Sequence, residues 1–239
     1  MARADRVSQI LAELLSPAVG GDGGGLGARL VSVGGRAVDV SGVGLAWMTE
    51  QGPGGTLAAT DGPAQVLEEV QYSLGAGPGV DCSRRGEPQM HPDLARSGSE
   101  RWLGYTDRAL DAGIAAVFAF PLQVGGIKLG VLDLYNEAAG PLGQAAVDEA
   151  RALAGAATAV LLHLQSSADR GELQTELAGS VFDRAEVHQA TGMVAVQIGL
   201  GLADAFAVLR GRAYASGRGV NDVAHDVVTR RMRFTDDDG

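Results

Sequence analysis

The sequence predicts an α+β domain followed by an all-α domain, and three observations support this division. Up to about residue 165 the apolar spacing alternates in the order helix, two strands, helix, loop, helix, two strands, long helix, which predicts an antiparallel sheet covered by helices. From residue 181 onward the spacing is helical only. Residues 1–170 contain 12 Lys or Arg against 19 acids, whereas residues 171–235 contain seven Arg and seven acids. We therefore predict domains at residues 1–167 and 168–235.

The composition fits two modest globular domains. The 239 residues suffice for two cores, and a content of 46% hydrophobic but only 5% aromatic residues indicates cores of Ala, Val and Leu. No run of about 18 apolar residues occurs, and the N-terminus is charged where a signal peptide would be apolar. We expect a cytoplasmic protein without membrane contact. Cys82 is the one cysteine, which excludes an internal disulfide and a cysteine-cluster metal site.

The first domain begins with an amphipathic helix over residues 3–15, whose apolar residues recur at i, i+3, i+4, i+7 and i+8. Residues 20–27 are rich in glycine and predict a flexible connection. They do not predict a phosphate-binding loop, because no strand precedes them and no Gly-Lys-Ser or Gly-Lys-Thr follows. Residues 37–48 are strand-like in their second half, and residues 54–60 predict a partner strand across a glycine-rich turn.

A helix, a loop and another helix are predicted next. Asp61 is a candidate N-cap, ahead of Pro63, for a helix that continues to Tyr72. The glycines of residues 74–81 predict a sharp loop, because glycine disfavours a long helix. Residues 99–112 then predict a further helix.

The domain ends with a hairpin and a long helix. Residues 114–124 and 127–135 are apolar strands joined by Gly125-Gly126, which is typical of a hairpin turn. Residues 142–164 predict an Ala-rich helix with a continuous apolar stripe. That stripe either packs on its own sheet or forms a dimer seam. We expect a hinge at residues 166–171.

The C-terminal domain is predicted as three short helices with breaks at residues 199–201 and 216–219. Each helix has an apolar stripe at helical spacing, which we assign to the core of a compact bundle. The stripes are Phe182, Ala185, Gln189, Gly192, Met193 and Val196; Leu202, Ala205, Phe206, Leu209 and Ala213; and Val220, Val223, Ala224, Val227 and Val228.

Basic charge gathers at one end of this domain. Between residues 210 and 233 six arginines face only two acids, Asp222 and Asp226. Arginine binds phosphate bidentately and stacks on unpaired bases, so nucleic acid is a reasonable partner; the alternative is that these residues only form solvated helix faces. Because the whole chain has a net charge of −10, any nucleic-acid binding must be local to this end.

The C-terminal motifs carry a resemblance to a known family. Residues 184–193, 205–213 and 222–228 resemble the ANTAR family, RNA-binding output modules of bacterial transcription antiterminators, in register over about 55 residues. The resemblance implies a three-helix bundle that binds RNA stem-loops in a transcript leader as a dimer and stops a terminator from forming. Thr191 departs from the family, which usually has Lys there. The predicted RNA contacts are Arg210, Arg212, Arg218 and Asn221, with Arg184, Thr191 and Arg230 at the margin.

The first domain resembles a GAF sensor domain of the kind fused to ANTAR modules in actinobacterial proteins. The resemblance rests on residues 74–81, 101–102, 118–122 and 129–135 and covers roughly residues 8–165. It implies a small-molecule or redox sensor with a pocket between the sheet and the helices around residues 77–94. The candidate pocket residues are Trp47, Asp81, Cys82, His91, Trp102 and Phe120, and the alternative is that they are ordinary core residues.

No catalytic constellation is visible in the sequence. The four histidines are scattered without metal-binding spacing, and no nucleophile elbow, P-loop or dinucleotide fingerprint accompanies the carboxylates of Asp81, Asp133 and Glu137. The acidic residues 236–238 predict a tail rather than a cation site. We expect no enzyme activity, no metal and no fixed cofactor, although an unknown small molecule remains possible in the first domain.

The leading prediction is a homodimeric cytoplasmic antitermination regulator, in which a signal read by the first domain controls RNA binding by the second. Two alternatives stay open. The turn around Gly217 joins two helices, as in a helix-turn-helix that binds duplex DNA. The chain is otherwise an interaction module whose first domain binds or hydrolyses a nucleotide.

Overall fold

The computed structural model describes residues 3–15, 25–49, 52–167 and 181–235. The chain divides into two compact units, Met1–Leu177 and Ala178–Gly239. Three predicted features lie mostly or wholly outside the described residues. They are the hinge at residues 166–171, the start of the second predicted domain at residue 168 and the acidic residues 236–238.

The first unit is a five-stranded antiparallel sheet with helices on both faces, which confirms the predicted α+β class. The strand order is β2-β1-β5-β4-β3. In chain order the elements are α1 (Arg3–Leu15), α2 (Leu26–Val38), β1 (Gly42–Thr49), β2 (Gly52–Ala59), α3 (Gly62–Leu74), α4 (Pro78–Arg85), β3 (Gln89–His91), α5 (Leu94–Gly98), α6 (Tyr105–Asp111), β4 (Ala116–Val124), β5 (Ile127–Asn136) and α7 (Gln144–Ser167).

Local signals set several element ends as predicted. The Asp61 carboxylate accepts a hydrogen bond from the backbone N–H of Ala64 at 2.8 Å, which caps α3. Gly75 ends that helix in the left-handed region at φ 62°. The β4–β5 hairpin turns at Gly125, whose φ is 58°.

The two faces of the sheet differ in their packing. Helices α1, α2 and α7 cover the apolar face, formed by Val43, Leu45, Phe118, Phe120, Leu122, Leu132 and Leu134. Because alternate strand residues point to opposite sides, the residues between these form the mixed face, Ala46, Val117, Ala119, Val131, Asp133 and Tyr135. Helices α3, α4 and α6 lie against the mixed face.

The stripe on α7 packs on the core of its own unit. Leu153, Ala157, Val160 and Leu161 are buried there together with the apolar face of the sheet. Of the two predicted alternatives, packing of α7 on its own sheet therefore accounts for the burial of these side chains. The side chain of Leu164 lies outside the described part.

Two predictions about the first unit are wrong, and three of its elements were missed. Helix α2 was not predicted, because its glycines resemble a loop; at Gly34 the missing β carbon leaves room for Leu153 of α7. The predicted loop at residues 74–81 ends in α4, which begins at Pro78, a favourable first helical residue. The predicted helix over residues 99–112 is reduced to α6, because residues 99–104 form turns. Strand β3 and helix α5 were not predicted.

The second unit contains the three predicted helices α8 (Val181–Ile198), α9 (Leu202–Ala215) and α10 (Val220–Val228). The stripe on α10 is confirmed, with Val220, Val223, Ala224 and Val227 buried. On α9, Ala205, Leu209 and Ala213 are buried, but Leu202 is 66% exposed.

The predicted core stripe of α8 is wrong. The buried residues are Val187, Ala190, Thr191 and Val194, whereas Val196 is 85% exposed. Both stripes have helical spacing, and they lie on nearly opposite sides of the helix because two residues correspond to about 200°. The stripe around Met193 and Val196 therefore faces outward.

Within the described ranges no single helix has the length and apolarity to cross a membrane. Residues 185–198 and 202–215 meet that test only as a pair, bent by 103°.

Candidate functional sites

The predicted pocket residues of the first unit lie on both sides of the sheet. Phe120 is 1% exposed and belongs to the apolar face. Trp47 lies two residues after Leu45 on β1 and therefore points to the same apolar face, and its indole lies against Gly54, which has no side chain to obstruct it. The structure therefore does not bring Phe120 and Trp47 together with the other four candidates.

Asp81, His91 and Trp102 do come together, on the side of the mixed face. The Trp102 Nε1–H donates to Asp81 Oδ2 at 3.2 Å, and Arg101 pairs with the same oxygen at 2.6 Å. The imidazole of His91 meets the Trp102 ring edge to face, with ring centroids 4.6 Å apart. The buried Trp102 indole thus contacts Asp81 on one side and His91 on the other.

His91 is buried and neutral at physiological pH. Its Nδ1 lies 3.1 Å from Ser97 Oγ, while Nε2 has no hydrogen-bond partner among the described residues. Burial lowers the pKa of His91 to about 4, and the positive charge of Arg101 acts in the same direction. A donor or acceptor brought to Nε2 would satisfy this buried atom.

Cys82 is fully buried among Ala46, Met48, Ala119 and Val131. Burial raises the pKa of its thiol, and the nearby charge of Asp133 raises it further. A thiol that stays protonated is a poor nucleophile. The geometry therefore favours a packing role for Cys82.

Sequence reasoning missed a buried polar group on the mixed face, which we call the acid cluster: Glu68, Gln71 and Asp133. The Gln71 amide connects it, because Nε2 donates to Asp133 Oδ2 at 2.7 Å and Oε1 accepts the N–H of Gly79 at 2.6 Å. Glu68 is 2% exposed, and its carboxyl group acts on the pKa of Asp133. The available signal was Asp133 itself, a lone carboxylate in an otherwise apolar strand.

Burial destabilises the charged form of the acid cluster. Burial raises the pKa of Asp133 to about 6, and the hydrogen bonds from Gln71 and Glu68 only partly oppose this. Tyr105 of α6 is fully buried nearby, and its pKa is raised by burial and then by the charges of Asp133 and Glu68. Asp133 Oδ1 and the Tyr105 hydroxyl lack partners within the described ranges. The cluster can take up a proton or accept hydrogen bonds from a small molecule.

In the second unit, the predicted RNA contacts are engaged with their own unit. The Arg210 guanidinium lies 3.9 Å from the Phe206 ring centroid, and that of Arg212 lies 5.6 Å from the Phe234 ring centroid. Arg218 pairs with Asp226 at 2.8 Å. These contacts hold the arginines in place rather than leaving them extended into solvent.

The remaining predicted contacts differ in their surroundings. Asn221 is half-buried, and its Oδ1 has no partner in the described part of the chain. Thr191 is 7% exposed and donates its hydroxyl hydrogen to the Val187 carbonyl at 2.8 Å, so it is not accessible to a partner. Arg230 is exposed. Arg184 lies in α8, but its side chain is outside the described part.

A groove on the outward face of α8, which we call the α8 groove, was not predicted. It has a volume of about 600 Å³ and is lined by Gln189, Gly192, Met193, Val196, Gln197, Arg230 and Arg233. Its α8 residues include four that the sequence analysis assigned to the core. Gln197 was not singled out, and Arg233 was counted in the basic end but not among the predicted RNA contacts.

The segment after α10 forms one wall of this groove. Arg230 takes a left-handed conformation at φ 60°, and the Asp226 carbonyl accepts the N–H groups of Arg231 and Met232. Phe234 is 4% exposed, and its N–H donates to Gln197 Oε1 at 2.9 Å. The segment is thereby fixed against α8.

No group of three or more His, Cys, Asp or Glu side chains that could hold a metal ion occurs among the described residues.

Comparison with known proteins assigns both units. Residues 28–162 match the GAF domain, and residues 175–228 match the ANTAR domain. The GAF domain of a phosphoenolpyruvate-protein phosphotransferase from Acinetobacter superposes with a TM-score of 0.51 at 15% identity, covering 71% of this chain and 99% of that one. The corresponding domain from Coxiella burnetii gives 0.50 at 15% identity, covering 69% and 98%. These identities show the fold alone. No curated protein matches the chain.

Proposed function

Because the chain belongs to the GAF domain family and carries an ANTAR domain after it, we propose that it is a signal-responsive regulator of transcription antitermination. The ANTAR domain binds RNA stem-loops in a transcript leader, and the GAF domain serves as sensor and dimerisation module in the cytoplasm. The observation that carries the proposal is the ANTAR match over residues 175–228, which overlaps the arginine-rich stretch at residues 210–233.

Charge supports RNA binding by the second unit. The chain as a whole has a net charge of −10, which repels a polyanion, so the arginine-rich end must supply the attraction. Arg210 and Arg212 on α9 and Arg218 in the connection before α10 have guanidinium groups engaged in contacts within the unit, and such planar groups suit phosphate oxygens and unpaired bases. Thr191 has no place among the proposed contacts because it is buried.

The mixed face of the first unit is the proposed sensor. It combines the acid cluster with His91 and Tyr105, and Asp133 Oδ1, His91 Nε2 and the Tyr105 hydroxyl are buried without a partner within the described ranges. Ordinary cores avoid such groups because they cost free energy. A small effector that satisfies them would shift the population of the first unit's conformations.

The test is a binding competition with the full chain. A labelled pool of RNA hairpins with randomised loops is titrated by fluorescence anisotropy between roughly 50 and 200 mM salt. We expect saturable binding that weakens with salt and is not displaced by duplex DNA of the same sequences. Equal displacement by duplex DNA would favour the helix-turn-helix alternative. Absence of any hairpin binding at low salt would contradict the proposal.

A further inference from the structure

The α8 groove combines features that suit one class of ligand. Its floor is apolar, since Met193 is half-buried and Val196 is 85% exposed, far more than is usual for an aliphatic side chain. Its rim carries Arg230 and Arg233, and no acidic side chain of the described residues lines it. An apolar floor beside paired cations fits a flat aromatic ring with an anion attached.

The size of the groove is also informative. A volume of about 600 Å³ lies within the range of pockets that hold small molecules. It would accommodate a single nucleotide but not the side of a duplex, in which stacked bases hide their faces. An unpaired nucleotide of a hairpin loop exposes both its ring face and its phosphate.

The wall that carries the arginines lies beyond the family match. The ANTAR match ends at residue 228, whereas Arg230 and Arg233 belong to the segment that follows α10. That segment is held by three independent contacts: the Asp226 carbonyl, the buried Phe234 ring and the Gln197 amide oxygen. The backbone that carries the two exposed arginines is therefore fixed before any ligand arrives, which lowers the entropic cost of ordering the segment on binding.

We propose that the α8 groove binds one unpaired nucleotide of an RNA loop, with its base on Met193 and Val196 and its phosphate against Arg230 and Arg233. This inference rests on the proposed RNA-binding function and adds a specific site to it. The site depends on residues 229–235, so recognition is shared between the ANTAR bundle and the segment that follows it.

Substitution of single arginines tests the phosphate contact. Arg233→Gln and Arg230→Asn, the latter chosen because asparagine tolerates the left-handed conformation, should each weaken hairpin binding by about tenfold and reduce the salt slope by about one. Arg231→Gln is the matched control. Arg231 lies between them, its side chain is 70% exposed, and it does not line the groove, so the same loss of charge should change affinity less than about twofold.

A second pair of variants tests the base contact. Val196→Glu places a carboxylate on an exposed position of the groove floor and should weaken hairpin binding by more than about tenfold. The control is Leu202→Glu, because Leu202 is an exposed α9 residue that does not line the groove. This variant should bind hairpins like the wild type. Hairpins with abasic loop positions should bind the wild type more weakly. They should lose little further affinity with Val196→Ala, which removes the base contact without adding a charge.

The outcomes separate this inference from the function beneath it. If the wild type binds hairpins but Arg231→Gln weakens binding as much as Arg233→Gln, the groove assignment is wrong and the function stands. If Val196→Glu leaves RNA affinity unchanged and instead dissociates a dimer in sedimentation velocity, the groove belongs to a second copy of the chain. If the wild type binds no hairpin, both proposals fail.

Discussion

The two faces of the sheet in the first unit are built from the same strands but stabilise the fold differently. The apolar face packs hydrocarbon against hydrocarbon between the sheet and α1, α2 and α7. The mixed face buries Glu68, Asp133, His91 and Tyr105 as well as apolar side chains. Burial of apolar area is favourable at any pH, whereas a buried titratable group makes stability depend on pH.

The mixed face contains two opposing pH dependences. The pKa of Asp133 is raised to about 6, so the folded state binds more protons than the unfolded state between about pH 4 and 6, and stability falls as pH rises through that window. The pKa of His91 is lowered to about 4, so the folded state binds fewer protons between about pH 4 and 6.5, and stability rises with pH there. The two slopes offset one another in the wild type.

The largest effect should come from the apolar face. Phe118→Ala removes a ring that is 1% exposed, and we expect it to lower the free energy of unfolding by about 3–5 kcal/mol. The loss should be the same at pH 5 and pH 8. Urea unfolding followed by tryptophan fluorescence measures it, because both tryptophans, Trp47 and Trp102, lie in the first unit. A loss that changed with pH would show that the two faces are not independent.

A substitution in the acid cluster should raise the free energy of unfolding, by less than Phe118→Ala lowers it. Asp133→Asn removes a buried charge, and its new amide can donate to Glu68 while its carbonyl accepts from Gln71. We expect the variant to be more stable than the wild type by roughly 1–3 kcal/mol at pH 8 and nearly equal to it at pH 4.

The matched control for Asp133→Asn is Leu134→Ala, the next residue on β5, which points to the apolar face. Leu134→Ala should destabilise the unit equally at both pH values. If Asp133→Asn were destabilising at pH 8, the carboxylate would be stabilised by its partners more than burial penalises it.

Local signals in the sequence were enough to predict several elements, but not α2, α4, β3 and α5 and not the faces. The turn at Gly125 and the cap at Asp61 act over a few residues, so the β4–β5 hairpin and α3 could be read directly. Phe120 was placed with Cys82 because strand β4 is apolar on both sides, and alternation alone does not say which side meets which helices. Only the register of the sheet shows that Phe120 and Cys82 lie on opposite sides of it.

The same ambiguity explains the error on α8. Two apolar stripes share that helix, and only the positions of α9 and α10 decide that Val194 is buried and Val196 exposed. The acid cluster was missed because Glu68 and Gln71 on α3 lie more than 60 residues from Asp133 in sequence. Contacts of that kind arise from the fold and leave no local pattern.

The smallest effect tests the other half of the mixed face. His91→Phe keeps a flat ring against Trp102 and removes Nε2, a buried atom without a partner in the described part of the chain. Ser97 keeps its hydrogen bond to the Asp93 carbonyl at 2.7 Å. Because the contribution of His91 to stability falls as pH falls from about 6.5 to 4, we expect the variant's free energy of unfolding to exceed that of the wild type by about 1–2 kcal/mol more at pH 5 than at pH 8.

The control for His91→Phe is Ser97→Ala, which removes the hydroxyl beside Nδ1 of His91. Because this variant keeps the imidazole, it should keep the increase of stability with pH that His91 causes. A difference between His91→Phe and wild type that is equal at pH 5 and pH 8 would mean that His91 titrates alike in the folded and unfolded chains. In the double variant Asp133→Asn, His91→Phe both of these slopes should vanish.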